Sequence, residues 1–133
     1  MSTSTIKIIS TYGGALSIDV GFKRAWLGRT GIVANDHLPN LIKGGLAAMV
    51  VPVDTLDDIR AILSEVSESQ GRLVMVDKAE QIPQAWAAGE VPLLFCACYK
   101  TVEEDASRVA FLRKLGVRMF TWSSNRRNVL CDG

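Results

Sequence analysis

Leu46-Ala47-Ala48-Met49-Val50-Val51-Pro52-Val53 is an unbroken apolar run. Such runs suit strands buried on both faces of a parallel sheet, where no face is left for polar alternation. Gly44-Gly45 punctuates its start. Val91 to Tyr99 (Val-Pro-Leu-Leu-Phe-Cys-Ala-Cys-Tyr) repeats the pattern. Between them, Thr55 opens a helix: Thr55-x-x-Asp58 resembles a capping box, and Leu56, Ile59, Ile62, Leu63 and Val66 follow at helical spacing. Gly71 ends it. Leu73 to Val76 is a short apolar piece. Ala79 to Ala88 reads as a second helix, with Pro83 near its first turn, where a missing N–H costs little.

Outward from this centre, Ile6 to Ile9 is a β-branched strand, and Ser10 to Lys43 is irregular, broken by Gly13-Gly14, Gly28, Gly31 and Pro39. Downstream, Thr101-x-x-Glu104 caps a helix carrying Val102, Ala106, Val109, Phe111, Leu112 and Leu115. Gly116 stops it, Val117 to Trp122 is a last strand, and Ser123 to Gly133 is polar and turn-rich. Buried strands alternating with helices indicate parallel βαβ units. The fold class is therefore α/β: about four parallel strands with helices on the outer face, half of a TIM-type (β/α)8 barrel. Residues 1–133 form a single half-barrel domain, with no internal repeat or low-complexity segment.

Apolar residues make up 48% of the chain, which argues against disorder. Lys plus Arg number 15 against 14 Asp plus Glu, and a net charge of +1 gives no reason to expect nucleic acid or an anionic membrane. Met1 to Ser10 is too short and polar for a signal peptide, and no apolar run reaches the length that spans a bilayer. The cysteines are Cys96, Cys98 and Cys131. An odd count without framework spacing fits a reducing cytoplasm.

Leu115-Gly116-Val117-Arg118-Met119-Phe120-Thr121, followed by Asn125-Arg126-Arg127-Asn128-Val129-Leu130-Cys131-Asp132-Gly133, resembles the Leu-Gly-Val-Arg…Thr-Leu-Thr…Asn-Arg-Arg-Asn-Ala-Leu-Ala-Asp-Gly stretch of membrane (renal-type) dipeptidases, peptidase family M19. Leu38-Pro39-x-Leu41-x-x-Gly44-Gly45-Leu46 is similar to the family's lead-in to its second strand, and Ala87-Ala88-Gly89-Glu90-Val91 to the lead-in to the next. The similarity covers nearly the whole chain and stops about halfway through the family's barrel. It implies a zinc metallodipeptidase fold, with ligands that this sequence lacks. Where the family ends strand one in Asp-x-His-x-Asp, Tyr12 stands at the His position and Gly14 at the Asp position. Where a Glu bridges the two metals after the third strand, Cys98 is nearest. Ser123-Ser124 stands where many members place a substrate-contacting His, and the two remaining His ligands belong to the half that is absent.

Independently of the family, hydrolytic zinc needs several His, Cys, Asp or Glu side chains converging on one point, and the chain has one His. No metal and no cofactor are therefore expected. Cys96 and Cys98 face one side of a strand and read either as soft-metal or redox ligands or as small buried apolar residues. His37, beside Asp36, reads as a general base or as a surface loop residue. Asn125, Arg126 and Arg127 follow the last strand, at the barrel end where ligands bind, and suit an anion or serve as solubilising charge. Tyr12 donates a hydrogen bond into the former pocket or fills it.

The resulting expectation is a truncated, metal-free pseudo-dipeptidase, an oligomeric binding or accessory subunit for a small peptide-like or amino-acid-derived ligand. The competing expectations are an enzyme with repurposed non-metal chemistry on Tyr12, Cys98 or His37 in small-molecule biosynthesis, and one half of a split zinc dipeptidase. A half barrel exposes two sheet edges and leaves its buried strands half exposed. The expected partner is therefore a second copy closing the barrel as a homodimer, or a second-half polypeptide.

Overall fold

A computed structural model describes residues 8–10, 14–98, 102, 105–122 and 127. Its elements run β1 (Ile8–Ser10), α1 (Gly14–Leu27), a π-helical turn (Val33–His37), α2 (Leu38–Lys43), β2 (Leu46–Val53), α3 (Leu56–Glu68), β3 (Leu73–Met75), α4 (Gln81–Ala88), β4 (Val91–Cys98), α5 (Ser107–Lys114) and β5 (Val117–Thr121). Every strand pairing is parallel. The order is β1-β2-β4, and β4's other edge is shared. β3 pairs its first half (Leu73 with Val91 to Met75 with Leu93) and β5 its second (Phe95 with Val117 to Cys98 with Thr121). The four long-range strands read from the sequence are present, and the short apolar piece at Leu73 adds a fifth.

One face of the sheet packs on the helices. Met49, Val51 and Val53 of β2 and Leu93, Phe95 and Ala97 of β4 alternate into a single core with Leu16 and Val20 of α1, Ile59 and Ile62 of α3, and Leu112 of α5. Thr55 closes the expected capping box: its hydroxyl accepts from the Asp58 N–H at 3.1 Å, and the Asp58 carboxylate accepts from the Thr55 N–H at 2.9 Å. Gly116 turns the chain into β5 with φ of 99°, a backbone conformation that favours glycine, and it packs beside the Phe95 ring.

Three expectations change. Ser10 to Lys43 is largely helical rather than irregular, because α1 is apolar on two faces and shows no single stripe. Leu16 and Val20 are buried while Ile18, Phe22 and Trp26 are exposed. On α5 only Leu112 of the expected stripe is buried, and Val109 and Phe111 are exposed. The Thr101-x-x-Glu104 cap lies outside the described residues. Finally, β2 and β4 are not half exposed. They are the inner strands, flanked on both edges, and even Ala48, Val50 and Cys96 on the face away from the helices are buried. Exposure falls on the outermost strand instead, at Met119, and on Trp122 just beyond it.

α1 and α3 are locked together by charge. Glu65 of α3 is fully buried; its carboxylate accepts from Arg24 of α1 and from the Val33 N–H at 2.8 Å. Glu68 accepts two further bonds from Arg24, at 2.7 and 2.9 Å, and one from the Gly31 N–H at 3.0 Å. The cluster ties the segment after α1 to the helical layer and satisfies a buried carboxylate that would otherwise be costly.

Candidate functional site

In barrels of parallel strands, ligands bind at the C-terminal ends of the strands, where the βα loops project. Here those ends are Ser10, Val53-Asp54, Cys98 and Thr121. Strand alternation decides which side chains meet. Val50 pairs with Leu94 and Pro52 with Cys96. Continuing by two places on each strand brings Asp54 and Cys98 to the same face. The Cys98 thiol donates to Asp54 Oδ1 at 2.8 Å. Next to them, Cys96 Sγ lies 3.4 Å from Thr121 Oγ1. The α3 cap holds Asp54 in place, since the Asp54 N–H donates to the Asp58 carboxylate at 3.0 Å.

This arrangement suits hydrogen bonding to a small polar ligand. A reactive thiolate is found beside positive groups, whereas the Cys98 sulfur faces a carboxylate. A hydrolytic zinc site takes three protein ligands and keeps one open position. Among the described residues, no group of three or more His, Cys, Asp or Glu side chains is placed to hold a metal.

The other sequence candidates are dispersed. His37 ends the π-helical turn, and its Nε2 lies 2.7 Å from Asp19 Oδ2 on α1. Its neighbour Asp36 points elsewhere, accepting from Lys23 at 2.9 Å and Arg29 at 2.8 Å. Lys23 also pairs with Asp19 at 2.7 Å. The Arg29 and Lys23 cations hold the Asp36 carboxyl at about 2, and Lys23, with His37, keeps Asp19 below the usual carboxylate range. His37 thus belongs to an ion-pair network on the helical layer, and α2 beyond it leads to the opposite, N-terminal end of β2. The structure does not bring His37 to Cys98. Gly14 is the first residue of α1, and Arg127 is exposed. Tyr12, Asn125 and Arg126 lie outside the described residues.

Sequence reasoning missed Asp54. The available signal was its parity: it continues the 48/50/52 alternation one step past the strand end, into a βα loop. An apolar groove of about 510 Å³ lies between α3 and α5, lined by Leu56, Ile59, Leu63, Phe111 and Leu115.

No protein-family model and no curated protein matches the sequence. Solved structures do. A dipeptidase of peptidase family M19 superposes with a TM-score of 0.73 at 15% identity, over 88% of this chain and 42% of that one. An amidohydrolase from Pseudomonas aeruginosa gives 0.67 at 17% identity, over 96% and 37%. A metallopeptidase from Rhodobacter sphaeroides, liganded with a phosphinate mimic of the dipeptide L-Ala-D-Ala, gives 0.64 at 13% identity, over 88% and 45%. The chain spans less than half the length of each of these structures. The likeness shows the fold: an α/β unit that is part of a TIM-type barrel of the dipeptidase and amidohydrolase kind.

Proposed function

We propose that this chain is a pseudo-dipeptidase: a single half-barrel domain without catalytic metal, acting as a binding or accessory subunit for a small peptide-like or amino-acid-derived ligand. The observation that carries the proposal is Cys98. Where the resemblance implies a metal-bridging carboxylate, a thiol donates to Asp54 at 2.8 Å. Tyr12 and Gly14, at the other implied ligand positions, agree with it. Cys98, Asp54 and Thr121 supply the polar floor, and Asn125, Arg126 and Arg127 supply cationic and amide donors for a ligand carboxylate. Titration calorimetry with Ala-Ala is expected to show saturable binding with the dipeptide recovered intact, weakened by Arg126→Ala or Arg127→Ala. Hydrolysis of the dipeptide, or no binding, contradicts the proposal.

The partner that completes the barrel is a second copy or a second-half polypeptide. Support comes from the outer strands: among the described residues β1 pairs only with β2 and β5 only with β4, and Met119 and Trp122 are 41% and 65% exposed. A reducing compartment such as the cytoplasm suits the free thiols of Cys96 and Cys98. Among the described residues no helix is long and apolar enough to cross a membrane.

The Cys98–Asp54 contact also favours a second reading, an enzyme using non-metal acid–base chemistry at the strand ends. In that case Cys98→Ser and Asp54→Asn abolish a turnover that chelators leave untouched; insensitivity to both substitutions removes the reading.

A further inference from the structure

The N-terminal cap of α3 does more than close the helix. A capping box needs one bond from the N3 side chain to the N-cap N–H. Asp58, at N3, makes two with a single oxygen. Its Oδ2 accepts from the Thr55 N–H at 2.9 Å and from the Asp54 N–H at 3.0 Å. Those N–H groups belong to the two peptide units on either side of the Asp54 Cα. Each unit is planar, so anchoring both restrains the backbone angles between them, and with them the direction of the Asp54 Cα–Cβ bond. The last paired residue of β2 is Val53, so the strand ladder does not supply this restraint. The Asp54 carboxylate nonetheless meets the Cys98 thiol of β4 at 2.8 Å. The other arm of the box joins Thr55 Oγ1 to the Asp58 N–H at 3.1 Å and involves no atom of Asp54.

We propose that Asp58 is a positioning residue of the strand-end site: it aims the Asp54 carboxylate at the Cys98 thiol and so governs how readily that thiol reacts. That this site receives a ligand rests on the function proposed above; the coupling of Asp58 to Cys98 does not. The underlying chemistry is that of an anion beside a thiol. A carboxylate in contact disfavours the thiolate, the form that alkylating agents attack. Loosening Asp54 lets its carboxylate turn toward solvent, and the thiolate forms more easily. A residue that served only the helix end would leave Cys98 unaltered, because the path from Asp58 to Cys98 runs through Asp54.

The test is the pH profile of iodoacetamide alkylation in the intact chain, read on the Cys98 peptide by mass spectrometry so that Cys96 and Cys131 do not contribute. Asp58→Ala is expected to lower the midpoint by about half a pH unit, about a threefold gain in rate below the midpoint. Asp58→Asn keeps an accepting oxygen and should retain the parent profile. Thr55→Ala cuts the other arm of the box and loosens the helix end as well, yet should leave the midpoint in place. In an Asp54→Asn background, Asp58→Ala should add nothing, since the coupling runs through the Asp54 charge. A midpoint that Asp58→Ala leaves unmoved, or that Thr55→Ala moves as far, overturns the proposal. Equal movement by Asp58→Asn also overturns it, by assigning the effect to the charge of Asp58 itself. Calorimetry with Ala-Ala keeps the two readings apart: absence of binding to the unsubstituted chain sinks the proposed function, while a midpoint shifted by Asp58→Ala alone still upholds the positioning.

Discussion

The Arg24–Glu65–Glu68 cluster and the Asp54–Cys98 contact both join residues 41 to 44 positions apart through a carboxylate. They differ in burial. In the cluster every carboxylate oxygen has a partner, and Glu65 has no solvent exposure. At the strand ends a carboxylate meets a thiol at a half-open position. Saturation in a packed layer holds helices in place and leaves nothing for a ligand. The half-open strand ends stay within reach of solvent, as the binding role proposed for them requires.

The comparison can be broken most forcefully at Arg24. Arg24→Ala leaves the buried Glu65 carboxylate without its cation and is expected to cost about 3 kcal/mol. That corresponds to a melting temperature lower by roughly 10 °C for a chain of this size. A drop of only a degree or two in a thermal melt would mean that the cluster does not lock α1 to α3. Acid provides a second, intermediate test. Arg24 keeps the Glu68 carboxyl below its ordinary 4.5, and Arg29 and Lys23 keep Asp36 at about 2, below 3.8. Carboxyls depressed in the folded state stabilise it above their unfolded values, and that contribution is lost as pH falls toward the folded values. Stability should therefore decline from about pH 4.5 to about pH 2, and Asp36→Asn should flatten the lower part of the curve. An unchanged profile would detach the Asp36 network from stability.

The smallest stability effect is expected at the strand ends. Asp54→Asn should change stability by less than about 1 kcal/mol, because the amide oxygen still accepts from the thiol and the site is partly open. Its consequence is chemical: with the negative charge removed, Cys98 should be alkylated faster by iodoacetamide. A large stability loss with unchanged alkylation would make Asp54–Cys98 a structural pair like the helical cluster and erase the distinction.

Much of this was legible in the chain. The runs at Leu46 and Val91 are apolar throughout because inner parallel strands are buried on both sides. Thr55-x-x-Asp58 is a local hydrogen-bond motif, so its geometry can be read from its spacing. α1 was not legible, because periodicity seeks one apolar stripe and this helix has two. The partnership of His37 with Asp19 and the pairing of Asp54 with Cys98 depend on which elements pack together, and spacing along the chain does not encode that. Asp36, adjacent to His37 in sequence, turned out to serve Lys23 and Arg29 instead.

We propose that this dipeptidase-like fold is used without catalytic metal. The most direct test of that claim is elemental analysis of the purified chain after dialysis against zinc, alongside a dipeptide hydrolysis assay. The expected result is far less than one zinc per chain and no hydrolysis. Stoichiometric zinc accompanied by hydrolysis, in the chain alone or joined to a second-half polypeptide, would contradict the claim and identify half of a split metallodipeptidase.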